Sequence, residues 1–508
     1  MSVNTTSELL NIGHDDAIAI KAPGRSPLSY AAIRSLSKRT QQSLSQAGIT
    51  KKDRVAIVLP NGPEMATAFV TISGASTTAP LNPAYRQEEF EFYLDDLKAK
   101  ALVVDAGSAS PAVAAAQKLG IPLINLVTDS SHAAGDFDLT FETTAPNAAA
   151  SNDAVDENDI ALILHTSGTT SRPKIVPLSH INVTSSAENI MNTLSLVPGD
   201  RCLNIMPLFH IHGLIATVLS SLRAGASIYC TPGFNALKYF SWMDDSKPTW
   251  YSAVPTMHQA ILTRAARSKD IIDAVPLRFI RSSSSSLPPQ VMAELENTFA
   301  APVIEAYGMT EAAHQMASNP LPPAVRKAGT VGIAAGPEVG IMSLEGEILK
   351  NGEVGEIVIR GQNVTKGYEN NPKANEENFT NGWFRTGDQG VLDAEGYVSI
   401  TGRLKEIINR GGEKISPREV DEVLMDHPAI QQCVTFAMPH PKLGEEVAAA
   451  VVLKEGMTAD EKDIRTFTAL HLADFKVPRK VLILDEIPKG ATGKLQRIGL
   501  AEKLGLAG

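Results

Sequence analysis

Short β-rich runs alternate with helical patterns along this chain, and that alternation limits the folds open to it. Residues 54–59 (RVAIVL) and 101–104 (ALVV) predict strands, and the stretch between them at residues 86–98 predicts a helix. Residues 303–306 and 356–360 add further short strands. Such alternation is typical of layered folds with partly parallel sheets. We therefore expect an α/β protein.

The length of the chain and a charged step near its C-terminus predict two domains. A chain of 508 residues is too long for a single hydrophobic core. The step GRLKE at residues 402–406 precedes a region with its own strand and helix alternation. We predict a large N-terminal domain over residues 1–401, a hinge at 402–405 and a small α+β C-terminal domain over 406–508. An ordinary exposed turn explains the charged step equally well.

Composition narrows the classes of function. The formal net charge of −10 argues against general binding of nucleic acid or anionic membrane. The three cysteines, Cys202, Cys230 and Cys433, are widely spaced and form no metal-ligand pattern. We expect each to be a small buried hydrophobe in a reducing compartment.

The termini and the apolar runs bear on location. The N-terminus has no basic segment followed by an apolar run, and no apolar run is long enough to span a membrane. The C-terminus lacks an SKL-type ending. These features predict a cytoplasmic protein. They do not bear on its oligomeric state, for which we expect a monomer or a weak homo-oligomer.

The segment LHTSGTTSRPK, residues 164–174, predicts a site for a polyphosphate. It follows an apolar run that predicts a buried strand, and it places five small or hydroxylated residues in one turn. Gly168 lets the backbone approach an anion, and the hydroxyl groups add hydrogen-bond donors. Lys174 supplies a positive charge. The alternative is a Ser/Thr-rich surface turn.

This loop differs from the common phosphate loop. In GxxxxGK[ST] the lysine follows glycine directly and a helix begins at once. Here Gly168 and Lys174 are six positions apart, and Pro173 disfavours helix at Arg172. The loop therefore predicts phosphate binding in an extended segment, without indicating a reaction.

Further polar residues suit the other parts of a nucleotide. Tyr307 offers a flat face for a base, Thr310 a hydroxyl for a phosphate and Glu311 an oxygen ligand for Mg²⁺, at a predicted strand-to-helix junction. Asp388 is a short carboxylate that suits two ribose hydroxyls. Lys494 lies in ATGK at the predicted tip of a turn. Helix capping and solvated charge are the alternatives for these residues.

Seven motifs together resemble one family. The chain resembles the adenylate-forming superfamily of acyl-CoA synthetases, luciferases and peptide-synthetase adenylation domains. The motifs are spread between residues 165 and 494 and are HTSGTTSRPK, PLFHIHG, RSSSSSL, EAYGMTE, GWFRTGD, GRLKEIINRGGEKI and PKGATGK. The resemblance implies an enzyme that joins a carboxylate to AMP with loss of pyrophosphate and then transfers the acyl group to a thiol. ATP, Mg²⁺ and coenzyme A are implied as co-substrates and cofactor.

The resemblance also implies which residues bind ATP or AMP. They are Thr166, Ser167, Gly168, Thr169, Thr170 and Lys174 for the phosphates, Ser284, Ser285, Glu305, Ala306 and Tyr307 around adenine, and Asp388 and Arg403 for the ribose. Thr310 would contact the α-phosphate and Glu311 would bind Mg²⁺.

The C-terminal motifs carry the catalytic step in this comparison. Carboxylate attack on an α-phosphate brings two anions together, and Lys494 would stabilise the resulting charge. Lys405 would be the hinge residue. Rotation of the small domain would then bring Gly411, Gly412 and Glu413 to the site, where they border the channel for coenzyme A.

The predicted acyl pocket is polar. His212 stands where many members have an aromatic residue, and His314 stands where many have a small or apolar one. Both imidazoles, with Ser284, could donate to a second carboxylate of a short acid. A long acyl chain would leave these buried groups unpaired, at a cost in free energy. The alternative is that one or both histidines bond only to backbone.

Several segments are most similar to the oxalate-CoA ligase group. The similar runs are LRFIRS at 277–282, HQM at 314–316, SNPLP at 318–322 and NVTKGY at 363–368. Two departures affect the expected pocket width: the turn RSSSSSL is richer in serine than in that group, and Gly308 stands where plant members often have alanine. The similarity predicts a ligase for oxalate that acts in oxalate catabolism.

Three alternatives remain from the sequence. A ligase for another short mono- or dicarboxylate, such as malonate, would keep every ATP motif and change only the pocket. An adenylation module serving a carrier protein is a second, although no carrier domain follows Gly508. A non-catalytic nucleotide-binding regulatory protein is the third, and the presence of Lys494, Glu311 and Asp388 speaks against it.

Overall fold

The structure is a computed structural model that describes residues 3–129, 131–141, 154–166, 173–488 and 495–506. Its first part carries strands and helices in alternation. The strands are β1 (Ile18–Lys21), β2 (Leu28–Ser29), β3 (Arg54–Val58), β4 (Thr77–Pro80), β5 (Ala101–Asp105), β6 (Leu123–Val127), β7 (Asp138–Phe141), β8 (Ile160–Thr166) and β9 (Lys174–Ser179). The helices are α1 (Thr6–Leu9), α2 (Tyr30–Gln46), α3 (Pro63–Ile72), α4 (Gln87–Leu97), α5 (Pro111–Leu119) and α6 (His180–Thr193).

The middle of the chain continues the alternation. The strands are β10 (Arg201–Asn204), β11 (Ser227–Cys230), β12 (Trp250–Ala253), β13 (Phe279–Ser283), β14 (Val303–Met309), β15 (His314–Ser318) and β16 (Ile333–Ala334). A π-helix spans His212–Leu219 and runs into α7 (Ser220–Arg223). The remaining helices are α8 (Tyr239–Ser246), α9 (Pro255–Ala265), α10 (Lys269–Ala274) and α11 (Pro289–Phe299), and 3₁₀ turns occupy Ala266–Ser268 and Thr310–Ala312.

The last part is mostly antiparallel. Its strands are β17 (Glu338–Met342), β18 (Gly355–Arg360), β19 (Phe379–Thr380), β20 (Trp383–Leu392), β21 (Val398–Arg403), β22 (Ile408–Arg410), β23 (Glu413–Ile415), β24 (Ile430–His440), β25 (Gly444–Leu453) and β26 (Lys480–Ile483). Its helices are α12 (Pro372–Asn378), α13 (Pro417–Met425), α14 (Glu461–Ala469) and α15 (Leu500–Lys503), with a 3₁₀ turn at Asp474–Lys476.

Two large sheets form the frame of the molecule. The first has the strand order β7-β6-β5-β3-β4-β8-β9, and its inner pairs are parallel while β7 and β9 pair antiparallel at its edges. The second has the order β16-β15-β14-β13-β12-β10-β11-β1-β2, with parallel pairing from β14 to β1. The expected α/β class with partly parallel sheets is confirmed.

Two smaller sheets follow in the chain. The third sheet has the order β17-β18-β20-β19 with β21 on the other part of β20, and the fourth has the order β23-β22-β25-β24 with β26 on β25. The third sheet ends at Arg403 and the fourth begins at Ile408. The residues between these two sheets include the predicted hinge.

The main core lies between the two large sheets. Helix α3 packs against β3 of the first sheet and β11 of the second, and of its ten residues only Glu64 is not fully buried. A helix that is apolar on every side suits a position with protein on both faces. Further clusters cover the outer faces, with α4 and α5 on the first sheet and α8 to α11 on the second.

The glycine of the motif PLFHIHG is required by a close backbone contact. A Cβ atom at Gly213 would stand 2.3 Å from the carbonyl oxygen of Pro207. No side chain fits at that distance, so glycine lets the π-helix begin directly above this loop. The contact fixes His212 at the first position of the π-helix.

Strand positions agree with the sequence, and one predicted junction is wrong. Strands β5, β14 and β18 cover the predicted runs, and β3 and α4 match the predicted strand and helix to within one residue at each end. The strand-to-helix junction expected at Thr310 is instead a strand-to-strand return, because β14 passes through one 3₁₀ turn into the antiparallel strand β15. Ala313 and His314 have positive φ angles of 46° and 101°, and this conformation reverses the chain.

Two further expectations concern burial and membranes. Cys202, Cys230 and Cys433 are free thiols and all three are buried, as predicted. Burial raises the pKa of each thiol. Within the described residues, none of the helices is long and apolar enough to cross a membrane.

Replacement of Phe69 by alanine tests the core between the large sheets. Phe69 lies in α3 and is fully buried. Removal of its ring leaves a cavity, so we expect a loss of about 3–5 kcal/mol in the free energy of unfolding. Leu344→Ala is the control, because Leu344 is 86% exposed and its loss should cost less than about 0.5 kcal/mol. Urea unfolding followed by circular dichroism measures both, and equal midpoints for the two variants would contradict this description of the core.

Candidate functional site

The predicted site residues gather at the carboxyl ends of parallel strands in the second large sheet. Ser284 directly follows β13, and Tyr307 and Thr310 lie at the end of β14 and just after it. Ser252, which was not predicted, lies beside them near the end of β12. Open α/β sheets bind ligands beyond the carboxyl ends of their strands. Strand β20 of the third sheet and the residues that lead to α12 close this region from the other side.

Tyr307, Asp388 and Arg403 form one polar group. Asp388 and Arg403 are paired positions on β20 and β21, and Arg403 Nε lies 2.8 Å from Asp388 Oδ1. The hydroxyl of Tyr307 donates to Asp388 Oδ2. The ion pair with Asp388 raises the pKa of Arg403, so the guanidinium is charged at all physiological pH values. The two residues predicted to bind ribose are thus adjacent.

Glu311 and Lys174 flank Tyr368. The hydroxyl of Tyr368 donates to Glu311 Oε1 at 2.7 Å, and Lys174 Nζ lies 4.3 Å from the centre of the Tyr368 ring. Burial raises the pKa of Glu311 and lowers that of Lys174. Each charged form therefore gains from a partner of opposite charge in this region. Thr166 pairs with Lys174 across β8 and β9, so it belongs to the same area.

A loop after β18 holds the turn that carries Thr310, Glu311 and His314. The side-chain amide of Asn363 donates to the carbonyl oxygens of Ala312 at 2.8 Å and Gln315 at 3.0 Å. The backbone N–H of Thr365 donates to the carbonyl of Glu311 at 2.7 Å. Buried carbonyl groups need such partners. The motif NVTKGY therefore positions the turn.

His212, Ser284 and His314 form a polar group in which both histidines are buried and Ser284 is half-buried. The two imidazole rings stack with centroids 4.9 Å apart and an interplanar angle of 23°. His212 Nδ1 lies 3.0 Å from Ser284 Oγ, and His212 Nε2 lies 2.6 Å from Ser252 Oγ. Both histidines are buried, at 0% and 1% exposure. The alternative that His212 bonds only to backbone is therefore wrong.

Gly308 explains one of the departures from the oxalate-CoA ligase pattern. A Cβ atom at Gly308 would stand 2.0 Å from the carbonyl oxygen of His314. An alanine here would force that backbone to move. The glycine thus permits the observed close pairing of β14 with β15 and the position of His314.

The side chain of Glu305 makes a hydrogen bond within the protein. Its side chain is 1% exposed, and its Oε1 accepts a hydrogen bond of 3.1 Å from the backbone N–H of Leu287. Burial raises its pKa to about 7. The Glu305 carboxylate thus closes the serine-rich turn, and the roles of Glu305, Ala306 and Tyr307 beside adenine stay predictions.

The predicted coenzyme A residues lie on another sheet. Gly411 and Gly412 form the two-residue turn between β22 and β23, with φ angles of 60° and 100°, and Glu413 begins β23. All three residues are exposed. Among the described residues, no hydrogen bond or ion pair joins these three to the residues at the strand ends. The structure therefore does not bring them to the predicted strand-end residues that it describes.

Lys405 lies in the exposed turn between β21 and β22. The backbone N–H of Leu404 donates to the carbonyl of Gly387 at 2.9 Å, and that of Glu406 donates to Arg403 at 2.8 Å. The C-terminal residues that follow contact the third sheet, where Arg418 Nη1 donates to the carbonyl of Ile400 at 2.7 Å. The hinge at Lys405 and the domain boundaries stay predictions.

Some predicted residues cannot be placed. Ser167, Gly168, Thr169, Thr170 and Lys494 lie outside the described residues. Ser285 is exposed and follows Ser284 in the serine-rich turn. Their predicted roles stay predictions.

Three residues at the site were missed by sequence reasoning. Ser252, Arg281 and Tyr368 contact predicted residues directly. Arg281 and Tyr368 lie within quoted motifs, LRFIRS and NVTKGY, so their place in those motifs was the available signal. Ser252 lies in no such motif, and only the pairing of β10, β12 and β13 brings it to the site.

The residues also define what metal could bind. Within the described part of the chain, no group of three or more His, Cys, Asp or Glu side chains could hold a metal ion. Mg²⁺ commonly keeps several water ligands and uses one or two carboxylates together with substrate phosphates. A single carboxylate such as Glu311 fits that mode of binding.

Fold and site together define an AMP-binding enzyme. The family model described as AMP-binding enzyme matches residues 12–369, and that of the AMP-binding enzyme C-terminal domain matches residues 419–494. The chain belongs to this family, and the resemblance to the adenylate-forming superfamily is confirmed.

Individual relatives narrow the comparison. The chain is 46% identical over 488 residues to the oxalate–CoA ligase of Arabidopsis thaliana, covering 95% of this chain and 94% of that protein. It is 44% identical over 477 residues to the oxalate–CoA ligase of Saccharomyces cerevisiae, covering 89% and 87%. The crystal structure of ATP-bound MatB from Rhodopseudomonas palustris superposes with a TM-score of 0.87 at 29% identity and 99% coverage of both chains.

The raised pKa of Glu305 predicts a pH dependence that Glu305→Gln removes. In the unfolded chain this carboxyl ionises near its ordinary value of 4.5, and in the folded protein near 7. Between these values the folded state holds the extra proton, so this group lowers stability as pH rises. The full effect, reached above pH 7, is about 3 kcal/mol. Glutamine can still accept from Leu287 N–H but does not titrate.

We therefore expect Glu305→Gln to gain stability relative to the wild type as pH rises from about 4.5 to 7. Thermal unfolding midpoints at a series of pH values measure this difference. Glu353→Gln at an exposed position is the control and should follow the wild type. A constant offset between Glu305→Gln and wild type across this range would show that Glu305 is not held protonated.

Proposed function

We propose that this chain is an ATP-dependent, AMP-forming acid–CoA ligase whose acid is oxalate. The observation that carries the choice of acid is the polar group of His212, Ser284 and His314 beside the turn of Thr310 and Glu311. The oxalate–CoA ligases among the relatives, at 44–46% identity, support the same acid.

The ATP half of the proposal uses the residues at the strand ends. Asp388 and Arg403 hold the ribose, and Tyr307 stays aligned because its hydroxyl donates to Asp388. Lys174 and the loop before it bind the phosphates, with Thr310 at the α-phosphate. Lys174 is half-buried, so its charge is only partly screened by water. These contacts position the α-phosphate for attack.

Glu311 would bind the Mg²⁺ that accompanies ATP. The ion would neutralise phosphate charge while the leaving pyrophosphate forms. The carboxylate is buried, and the Tyr368 hydroxyl and nearby Lys174 stabilise its ionised form. Both partners thus favour the ionised carboxylate of Glu311, which is the form that binds a metal ion.

The acid half of the proposal requires a short diacid. One carboxylate of oxalate would face the α-phosphate, and the second would accept hydrogen bonds from the group of His212, Ser284 and His314. With two carbons, oxalate places its second carboxylate directly beside the reacting one. A longer apolar acid would bury methylene groups against buried imidazoles and would place no acceptor beside the hydroxyl of Ser284, which is costly.

The reaction proceeds in two steps. A carboxylate oxygen attacks the α-phosphorus, the bond to the β-phosphate oxygen breaks and pyrophosphate leaves. The thiol of coenzyme A, having lost its proton, then attacks the acyl carbon and AMP leaves. Lys494 would stabilise the first transition state, where two anions approach. Rotation about Lys405 between the domains at 1–401 and 406–508 would then bring Gly411, Gly412 and Glu413 to the second step.

A panel of acids tests the proposed substrate. Oxalate, malonate, glycolate and acetate are compared with ATP and coenzyme A, and release of AMP and pyrophosphate is followed. We expect kcat/KM for oxalate to exceed that for acetate by about 10³-fold or more, because acetate has no second carboxylate to accept hydrogen bonds from the group of His212, Ser284 and His314. Equal values for oxalate and acetate would overturn the choice of oxalate. A preference for malonate would assign the same site to a different diacid.

Lys494→Ala separates the two half-reactions. We expect adenylate formation to fall by about 10²–10³-fold, because a charge that acts in the transition state is lost. Conversion of supplied oxalyl-adenylate to the thioester should continue at a near wild-type rate. Lys503→Ala is the control, because Lys503 is an exposed lysine in α15 of the same terminal segment. Loss of both half-reactions in Lys494→Ala would contradict its proposed role.

A further inference from the structure

Arg281 is a buried positive charge with no acidic partner in the part of the chain that the structure describes. It lies in β13, its side chain is 0% exposed, and its Nε has no hydrogen-bond partner among those residues. Burial lowers its pKa to about 9, so it is still charged at neutral pH. A buried unpaired charge is strongly unfavourable. The presence of a buried arginine at this position is therefore not explained by packing alone, and a functional role would account for it.

The Arg281 guanidinium faces the proposed acid pocket through His212. Its Nη1 lies 3.4 Å from His212 Nε2 and 3.4 Å from Ser252 Oγ, and its Nη2 lies 3.3 Å from Gln315 Oε1. Gln315 is held in turn by Thr193 Oγ1 and the carbonyl of Ala335, each at 3.1 Å. The guanidinium is thus fixed between the histidine and a glutamine.

The chemistry of these contacts selects one tautomer of His212. A guanidinium has only donors, so His212 Nε2 and Ser252 Oγ must both accept from it. The Ser252 hydroxyl then donates its own proton to Nε2, at the short distance of 2.6 Å. A proton on Nε2 would point at the Arg281 donor, whereas an unprotonated Nε2 accepts from both Arg281 and Ser252. The neutral His212 ring therefore carries its proton on Nδ1.

The tautomer of His212 determines whether the Ser284 hydroxyl can donate a hydrogen bond into the pocket. The Nδ1 proton of His212 is directed to Ser284 Oγ, 3.0 Å away. Because Ser284 Oγ accepts this hydrogen bond, its hydroxyl proton is free to be donated elsewhere. A carboxylate beside Ser284 can only accept, so it completes the chain from Arg281 through His212 to the ligand.

We infer that Arg281 is a positioning and specificity residue: it fixes His212 as the Nδ1–H tautomer and supplies the positive charge that makes the pocket favour the second carboxylate of a diacid. The inference rests on the proposed function for the identity of the acid, but the tautomer does not depend on it. Arg281 acts through His212 and Ser284 and does not itself touch the reacting atoms.

Arg281→Met is the first test, because methionine has a similar length and no charge. Replacing an unpaired buried charge with an apolar side chain should leave stability unchanged or raise it. We expect KM for oxalate to rise by about 100-fold while KM for ATP changes by less than about threefold. The preference for oxalate over acetate should fall by a similar factor. Arg281→Lys keeps the charge and should recover part of the oxalate preference.

Arg278→Met is the matched control. Arg278 lies just before β13, and its Nη1 pairs with Asp200 at 2.6 Å, away from the pocket. Its loss should lower the unfolding temperature and leave both KM values near wild type. If Arg281→Met instead loses stability and raises the two KM values equally, Arg281 is a structural residue and the inference is overturned.

Nitrogen NMR of the ligand-free enzyme tests the tautomer without reference to any substrate. Protein labelled with ¹⁵N-histidine is compared with a His212→Asn sample to assign the His212 signals. We expect a protonated Nδ1 and an unprotonated Nε2 in the wild type, and a loss of this pattern in Arg281→Met. A protonated Nε2 in the wild type, or an unchanged pattern in the variant, would overturn the inference even if oxalate is the substrate.

The two tests separate failure of the inference from failure of the proposed function. If the acid panel shows no preference for a diacid while the predicted tautomer is found, the proposed function fails and the tautomer assignment stands. If oxalate is preferred and the tautomer is not found, the proposed function stands and the role of Arg281 fails.

Discussion

One side-chain amide holds the two halves of the site together. Asn363 donates to the carbonyls of Ala312 and Gln315, and so fixes the short turn between β14 and β15. That turn carries Thr310 and Glu311, which face the predicted phosphates, and leads directly to His314. A shift of one ångström there would move the phosphate and acid contacts together, and catalysis by positioning does not tolerate such a shift. The geometry of the proposed reaction therefore depends on two buried hydrogen bonds.

Burial affects the ionisation of the charged residues of the site as much as their direct contacts do. Glu311, Lys174 and Arg281 are all partly or fully removed from water, and in each case burial disfavours the charged form. Glu311 and Lys174 compensate one another across Tyr368. Arg281 has only neutral partners among the described residues, so the ligand is the natural source of its countercharge. A dianionic acid suits such a pocket better than a monoanion.

The sequence predicted the frame well because periodic apolar runs reflect burial directly. Strands such as β3 and β5 are buried runs with clear ends. It failed at Thr310, because a return through one 3₁₀ turn depends on the positive φ angles of Ala313 and His314, which no apolar pattern encodes. His212 and Ser284 were expected to be close, and the structure agrees. Ser252 was missed because its role arises from pairing between strands about thirty residues apart in sequence.

Arg403, one of the two predicted ribose contacts, lies two residues before Lys405 and pairs with the other, Asp388. β20 anchors one member of the pair, and the other ends β21, where the third sheet stops. In the proposed reaction a nucleotide bound to both residues would hold them in place beside the hinge. The small domain would then rotate about Lys405 relative to residues that the bound adenylate keeps rigid. A loosely bound adenylate would hold this pair less firmly, and the rotation about Lys405 would be less precise. Tight binding of the intermediate and precise rotation of the small domain would therefore depend on the same ion pair.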